Sequence, residues 1–388
     1  MNQRPFILFF CIIFILSNLF LSGCSVNEKR SVPEEEKGWQ GVITLWDFPR
    51  WPDEKGNRFG WIEEKISQFE KENPGVFIQC RHLKWEYGMI ELRAAVAADC
   101  DFILEGYLEP VDEFFTPQEI EKYEPKAIEA VTHNDRIYGF PWFLTTYGLF
   151  LNIDAFNAQD AAVPEEGLWN YDQFVEALQK VSYDKNNDGT RDYFGLNFFL
   201  SPGNYQMWPF LTMDGAHIFD ERGNFTLNSP QGISALNKMV DLETKFKVVP
   251  EEYGTLDENT VWGDFCEEGK IAVYPAGPWA IKILSERQRD GKGFEFDIAH
   301  YPSSESAPTG IALVSGYGIF KQEDLEKKAV CAKFLKFITS EEEQEALINY
   351  GVFPAMIDVS NKIINDSHML KMKKILDSSI ILPKVKNR

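Results

Sequence analysis

The sequence predicts an α/β protein with mainly parallel sheets flanked by helices, divided into two domains, and three observations carry that reading. A strand-like run, a helical pattern and a second strand-like run follow one another within residues 42–78. Further along, polar capping signals ahead of 3.6-residue apolar patterns alternate with short apolar runs. The length of 388 residues leaves room for two domains of ordinary size, each with its own core.

In chain order, Phe6 to Leu16 is uninterrupted apolar and Leu19-Phe20-Leu21 resumes it, with Arg4 the only charge ahead of residue 24. This is the shape of a secretory leader, with a core short of the ~20 residues of a bilayer span. Ser25 to Gly38 is polar, carries Pro33 and Glu34-Glu35-Glu36 and has almost nothing to bury, so residues 24–39 read as a tether. Val42 to Trp46 is then a strand. Phe59, Ile62, Ile66 and Phe69 recur at helical spacing, Asn73-Pro74-Gly75 stops that helix, and Val76-Phe77-Ile78 is the second strand of a β-α-β unit. A helix over 87–98 shows Met89, Leu92 and Val96 on one face, and the apolar Phe102-Ile103-Leu104 follows it. Asn170 with Gln173 three residues on is a capping box ahead of Phe174, Leu178 and Val181, and Ser340 with Glu343 repeats the device. Between Lys270 and Phe320 the pattern returns to short runs, Ile271-Ala272-Val273 and Ile311 to Val314. No internal repeat is present.

Composition narrows the partners. The formal net charge of −21 repels phosphate backbones, which argues against nucleic acid, and equally disfavours lying flat on anionic lipid. Of six cysteines, Cys11 sits in the leader and Cys24 at its end, leaving Cys80, Cys100, Cys266 and Cys331, whose spacing matches no metal or CxxC pattern. They read as small buried hydrophobes, with a Cys80–Cys100 bridge as the alternative outside the cytoplasm.

Catalytic signatures are missing: there is no GxSxG, HExxH, Walker loop or GxGxxG, and the histidines are scattered at 82, 133, 217, 300 and 368. Glycoside hydrolysis stays open, because it asks only for two carboxylates. Asp184, Asn186, Asp188 and Asp192 place oxygens at alternate positions around Gly189, as calcium requires, but Gly195 stands where a bidentate Glu closes an EF-hand loop. A calcium ion that stiffens this loop and a solvated turn with no ion are both readings of it, and no other cofactor is expected.

The second signal is aromatic. Trp46 and Trp51 follow the first strand, and Trp85, Trp142, Tyr147, Tyr205, Trp208, Trp262, Trp279 and Tyr317 appear later, several of them at ends of runs beside Gly or Pro. Such ends are where ligands bind in α/β sheets, and aromatic faces stack on the C–H faces of sugar rings.

Two resemblances join these observations. Ser22-Gly23 before Cys24 resembles the lipobox of bacterial lipoproteins, which implies removal of residues 1–23, diacylglycerol on Cys24 and a chain anchored to the membrane. The segment from Gly139 to Asn152, GFPWFLTTYGLFLN, resembles the crossover of bacterial extracellular solute-binding proteins of the sugar ABC-transporter class, the group that includes maltose-binding proteins. Gly269 to Ala280, GKIAVYPAGPWA, is similar to that family's small-residue and tryptophan motif. Ser315 to Ile319, SGYGI, resembles its second return, with the family's helix here at Glu326 to Ile338 and Thr339 to Glu343 after it.

The resemblance implies a type II periplasmic-binding-protein-like fold: two α/β lobes joined by hinge strands, 40–146 plus 314–355 against 147–313 plus 356–388. It implies a monomer, not an enzyme, that closes on a carbohydrate and delivers it to the membrane permease subunits of an ABC importer and their ATPase. Carried onto matching positions, its ligand residues are Trp46, Trp142, Tyr147, Trp279 and Tyr317; Trp208 rests on the aromatic argument alone. The chain departs from the family twice. Only Asp99 to Tyr107 separates Ala98 from Leu108-Glu109-Pro110, so a cleft-edge element is expected to be missing, and the sequence ends at Arg388, so part of the second lobe's covering layer is too. The competing readings are a surface glycan-cleaving enzyme and a degenerate binding lipoprotein without a ligand.

Overall fold

The computed structural model describes residues 38–53, 55–85, 87–96, 102–200, 205–220, 223–303, 310–363, 366–382 and 384. The expected leader, Cys24 and most of the tether lie outside them, as does Cys100. Residues 39–388 make one compact unit. No helix among the described residues is long and apolar enough to cross a membrane.

The first elements are β1 (Gly41–Asp47), α1 (Gly60–Glu72), β2 (Val76–His82) and α2 (Gly88–Val96). Ile62, Ile66 and Phe69 form the buried stripe of α1, at the spacing that puts one face of a helix against a sheet. β1 and β2 pair in parallel from Gly41↔Val76 to Asp47↔His82, as a β-α-β unit demands. Ile43, Val76 and Ile78 turn inward, while Val42 and Phe77 on the other face are 55% and 60% exposed. Among the described residues this sheet has two strands. Phe102-Ile103-Leu104 forms turns and adds no strand.

The chain continues through α3 (Pro117–Ile120), α4 (Pro125–Val131) and the hairpin β3 (Thr132–His133)/β4 (Arg136–Ile137) into β5 (Phe140–Thr145) and β6 (Gly148–Asn152). Beyond these come α5 (Ile153–Ala158), α6 (Tyr171–Lys180), β7 (Phe194–Leu196), α7 (Trp208–Thr212), α8 (Pro230–Thr244), α9 (Glu258–Cys266), β8 (Ile271–Ala276), α10 (Trp279–Arg289), β9 (Phe296–Ala299) and β10 (Ile311–Tyr317). The chain closes with α11 (Leu325–Ile338), α12 (Glu341–Ala346), β11 (Phe353–Pro354), α13 (Ile357–Ser360), α14 (Ser367–Ser378) and β12 (Ile380–Ile381). The capping box at Asn170 and Gln173 and the Ser340 cap are formed.

The two four-stranded sheets run β11-β5-β10-β12 and β7-β8-β6-β9. They are more mixed than the mainly parallel expectation. β7–β8 and β10–β12 are parallel, whereas β5 pairs antiparallel with β10 and β11, and β6 antiparallel with β8 and β9. The physical reason is that consecutive strands β5 and β6 belong to different sheets, so the chain crosses between them at Thr145–Gly148 and returns along β10 in the opposite sense. β6 and β8 are buried at every position, so alternation vanishes and they read as continuous apolar runs.

The crossing is tied by one polar group. Thr146, fully buried, donates from Oγ1 to the carbonyl of Ile311 at 3.0 Å and lies 3.1 Å from Ser379 Oγ, which donates to Ile375 O at the end of α14. The outgoing crossing, the returning strand and the C-terminal helix therefore meet at one hydroxyl. Thr146→Val keeps the shape and strands the Ile311 carbonyl; it is expected to cost about 1–3 kcal/mol, read as a lower melting temperature, while Thr244→Val at an exposed position leaves stability nearly unchanged.

Candidate functional site

Two groups of aromatic and polar side chains flank the crossing. The first is built from the ends of β1, β5 and β10. Asp47, last residue of β1 and 1% exposed, accepts from the amide of Phe48 at 3.0 Å, from Arg50 Nη2 at 2.9 Å and from Tyr317 Oη at 3.4 Å. Burial raises the Asp47 carboxyl, and the Arg50 guanidinium opposes that rise. Burial likewise pushes the Tyr317 hydroxyl up, so it acts as a neutral donor. Arg50 stacks over Trp142, 4.8 Å to the ring centroid, and Trp61 covers the opposite face of that indole at 4.7 Å. Lys65 and the Trp61 indole N–H both bind the Glu343 carboxylate, which holds Trp61 in place.

The second group stands on β6, β8 and the elements that follow them. Tyr147 opens β6, and Trp279 starts α10 immediately after the Gly277-Pro278 turn that ends β8. Trp262 of α9 packs on Trp279 at 5.0 Å and on Tyr274 at 5.4 Å; Tyr205 meets Trp208 edge-on at 5.1 Å. Glu258, one helical turn before Trp262, carries an accessible carboxylate that its apolar surroundings shift upward by desolvation. Its charge and Tyr205 add to the burial that pushes the Tyr147 hydroxyl up.

Trp51 and Tyr350 connect the groups. Their rings stack at 4.5 Å, with Trp51 also against Trp142 at 6.2 Å. Next to Tyr350, Gly351 adopts a left-handed conformation, φ 69°, with its missing Cβ direction only 2.8 Å from the Pro278 carbonyl. Only glycine permits that turn and that approach together.

Of the residues expected to bind ligand, Tyr147, Trp208 and Trp279 are half-buried in the second group. Trp142, 1% exposed, and Tyr317 are packed among side chains, both faces of Trp142 being covered. Trp46 pairs with Arg81 on the face of β1 opposite Asp47 and joins neither group. Sequence reasoning missed Arg50, Asp47, Trp61, Tyr350 and Glu258. The signal for Glu258 was its i, i+4 spacing to Trp262, which puts both on one side of a helix.

The Asp184–Asp192 loop is closed by its own hydrogen bonds. Asp184 accepts from the amides of Asp188 and Gly189, Asn186 from Asp188, Asp188 from Thr190, and Asp192 from Lys185. Among the described residues no group of three or more His, Cys, Asp or Glu is arranged to hold a metal. Cys80 and Cys266 carry free thiols that burial pushes up to about 12 and about 11, so both are neutral and unreactive near pH 7.

Known proteins share the family and the fold of this chain. The sequence model of the bacterial extracellular solute-binding proteins matches residues 66–371. A maltotriose-binding protein of Pyrococcus abyssi is 23% identical over 296 residues, 73% of this chain; the match spans only 58% of the relative's own length. The fold is similar to that of an ABC substrate-binding protein of Listeria monocytogenes solved with cycloalternan, at TM-score 0.71 and 19% identity over 90% of this chain and 89% of the other. It is also similar to a maltose/maltodextrin-binding domain of Bdellovibrio bacteriovorus bound to maltotriose, at TM-score 0.68 and 21% identity over 89% of each chain.

The buried Asp47–Arg50 pair makes a direct test of the first group. Arg50→Ala leaves a buried carboxylate without its cation and is expected to destabilise by about 3–5 kcal/mol in thermal or urea unfolding. Asp47→Asn with Arg50→Met together removes both charges and is expected to recover most of that loss.

Proposed function

The chain belongs to the bacterial extracellular solute-binding proteins, and from that premise we propose that it is the receptor of an ABC importer, capturing a sugar or oligosaccharide and handing it to a membrane permease. Family membership implies work on the extracytoplasmic side. The observation that carries the sugar reading is the second aromatic group. Tyr147, Trp208, Trp262 and Trp279 offer half-buried rings, with the Glu258 carboxylate one helical turn from Trp262. Rings that take C–H faces and polar edges that take hydroxyls are what a saccharide presents to a protein. The fold neighbours named with maltotriose and cycloalternan support the same class.

In this reading residues 40–146 with 314–355 form one lobe, and 147–313 with 356–388 the other. The ligand bridges them and stabilises the closed arrangement, with bending confined to the two crossings. Binding, not bond cleavage, is the task, and the protein acts as a monomer. The lipobox-like Ser22-Gly23-Cys24 supports a lipid anchor that keeps the receptor beside its permease.

A panel of maltotriose, cellotriose, mannobiose and xylotriose is expected to contain at least one sugar that raises the melting temperature and quenches tryptophan emission. Trp279→Ala is expected to weaken that sugar tenfold or more, about 1.4 kcal/mol, and also to lower the unliganded melting temperature, since Trp262 packs on the ring. Cys24→Ser is expected to abolish incorporation of labelled palmitate and move the protein from the membrane to the soluble fraction; retention in the membrane would count against the anchor.

A further inference from the structure

α14 is fastened at both ends, and to different lobes of the proposed receptor. Its first turns lie on β9 of the second lobe: His368 stacks on Phe296 at 4.3 Å, with Nε2 3.1 Å from the Phe296 carbonyl, and Lys371 pairs with Asp297. Its last turn is held by the first lobe, where Lys126 of α4 donates from Nζ to the carbonyls of Leu376 at 2.8 Å and Asp377 at 2.7 Å. The carbonyls at the end of a helix carry its negative pole, so a cation suits them. The buried face of α14, Met369, Met372, Ile375 and Leu376, lies in one apolar core with Ala127 of α4 and with Phe296 and Ile298 of β9. α14 also closes over both crossings: a Cβ on Gly148 would stand 2.9 Å from Met372 Sδ and from Ile375 Cδ1, and one on Gly310 would run into Ser379 Oγ.

We propose that α14 is a strut across the hinge that limits how far the lobes part, with Lys126 and Lys371 as its two fastenings. The inference rests on the sugar-receptor reading and deepens it. A helix of 12 residues is a rigid body about 18 Å long. Fastened to both lobes beside the crossings, it cannot follow a wide bend without releasing one end. In the arrangement seen the lobes already touch, because the Cβ direction of Gly351 in one is 2.8 Å from the Pro278 carbonyl of the other, next to Trp279. The strut therefore keeps the unliganded receptor near this arrangement, and a sugar that needs the lobes together finds a larger competent fraction. Lys126 and Lys371 belong to neither aromatic group, so they act on affinity only through this equilibrium.

The test is small-angle X-ray scattering and calorimetric titration of the mature chain, with Cys24→Ser as the common background, comparing the otherwise unaltered protein with Lys126→Met, Lys126→Arg and Lys371→Met. Maltotriose, cellotriose, mannobiose and xylotriose are the titrants. Lys126→Met and Lys371→Met are each expected to enlarge the radius of gyration of the unliganded protein, to leave that of the sugar-bound protein unchanged, and to weaken the bound sugar about fivefold or more. Lys126→Arg, which keeps a cationic donor, is expected to match the unaltered protein in both measurements. A lysine with a merely structural role would lower the melting temperature and leave the scattering curve as it is. That result for both Met variants overturns the strut and leaves the sugar receptor standing. No binding of any of the four sugars overturns the receptor reading, and scattering from the unliganded proteins then decides the strut by itself.

Discussion

The antiparallel pairing of β5 with β10 is the constraint on which the rest of the molecule depends. These two strands carry the chain to and from the sheet that contains β6, and they pair from Leu313↔Thr145 to Tyr317↔Phe140. Because β5 lies between β11 and β10, most of its side chains are buried, so its sequence must be apolar. Thr146 is the exception just beyond its end, and its hydroxyl is satisfied within the structure. Where the neighbouring strands end, the backbone must turn sharply, and the turns carry Gly277-Pro278 and Gly351. The aromatic side chains next to those turns have room on one side only, which is why half-buried rings collect there.

The two groups beside the crossing differ in kind. Around Trp142 the Asp47 charge is answered by Arg50 and the indole faces by Trp61 and the guanidinium, while the Trp142 indole N–H and Arg50 Nε are buried with no hydrogen-bond partner among the described residues. Such a group rigidifies, since removing any member leaves a buried charge or a void. Around Trp279 the half-buried rings lean on one another, and the Tyr274 hydroxyl among them takes a hydrogen bond from Gln206.

Much of the local architecture was legible in the sequence. The Asn170 box, the Ser340 cap and the Ile62-Ile66-Phe69 stripe depend on residues within a turn or two of each other, and spacing alone reveals them. Strand pairing is different, since β8 meets β6 from more than a hundred positions away and no local pattern encodes the sense of that meeting. The same distance explains the site. Trp142 and Trp279 both sit beside proline, yet one is sealed by Trp61 and Arg50 and the other is not. For Glu258 the spacing to Trp262 was the one legible signal; the desolvation of its carboxyl is a property of the folded surroundings rather than of any motif.

The first sheet carries a consequence for the protein in solution. Val42 and Phe77 are exposed on one face of this sheet, Trp85 and Ile90 beyond β2 are exposed at 59% and 69%, and among the described residues the sheet has two strands. Sheet edges of this kind invite pairing with a second chain. A net charge of −21 opposes such association. Colloidal stability therefore depends on ionic strength, because added salt screens the repulsion over about 8–10 Å and leaves the apolar contact untouched.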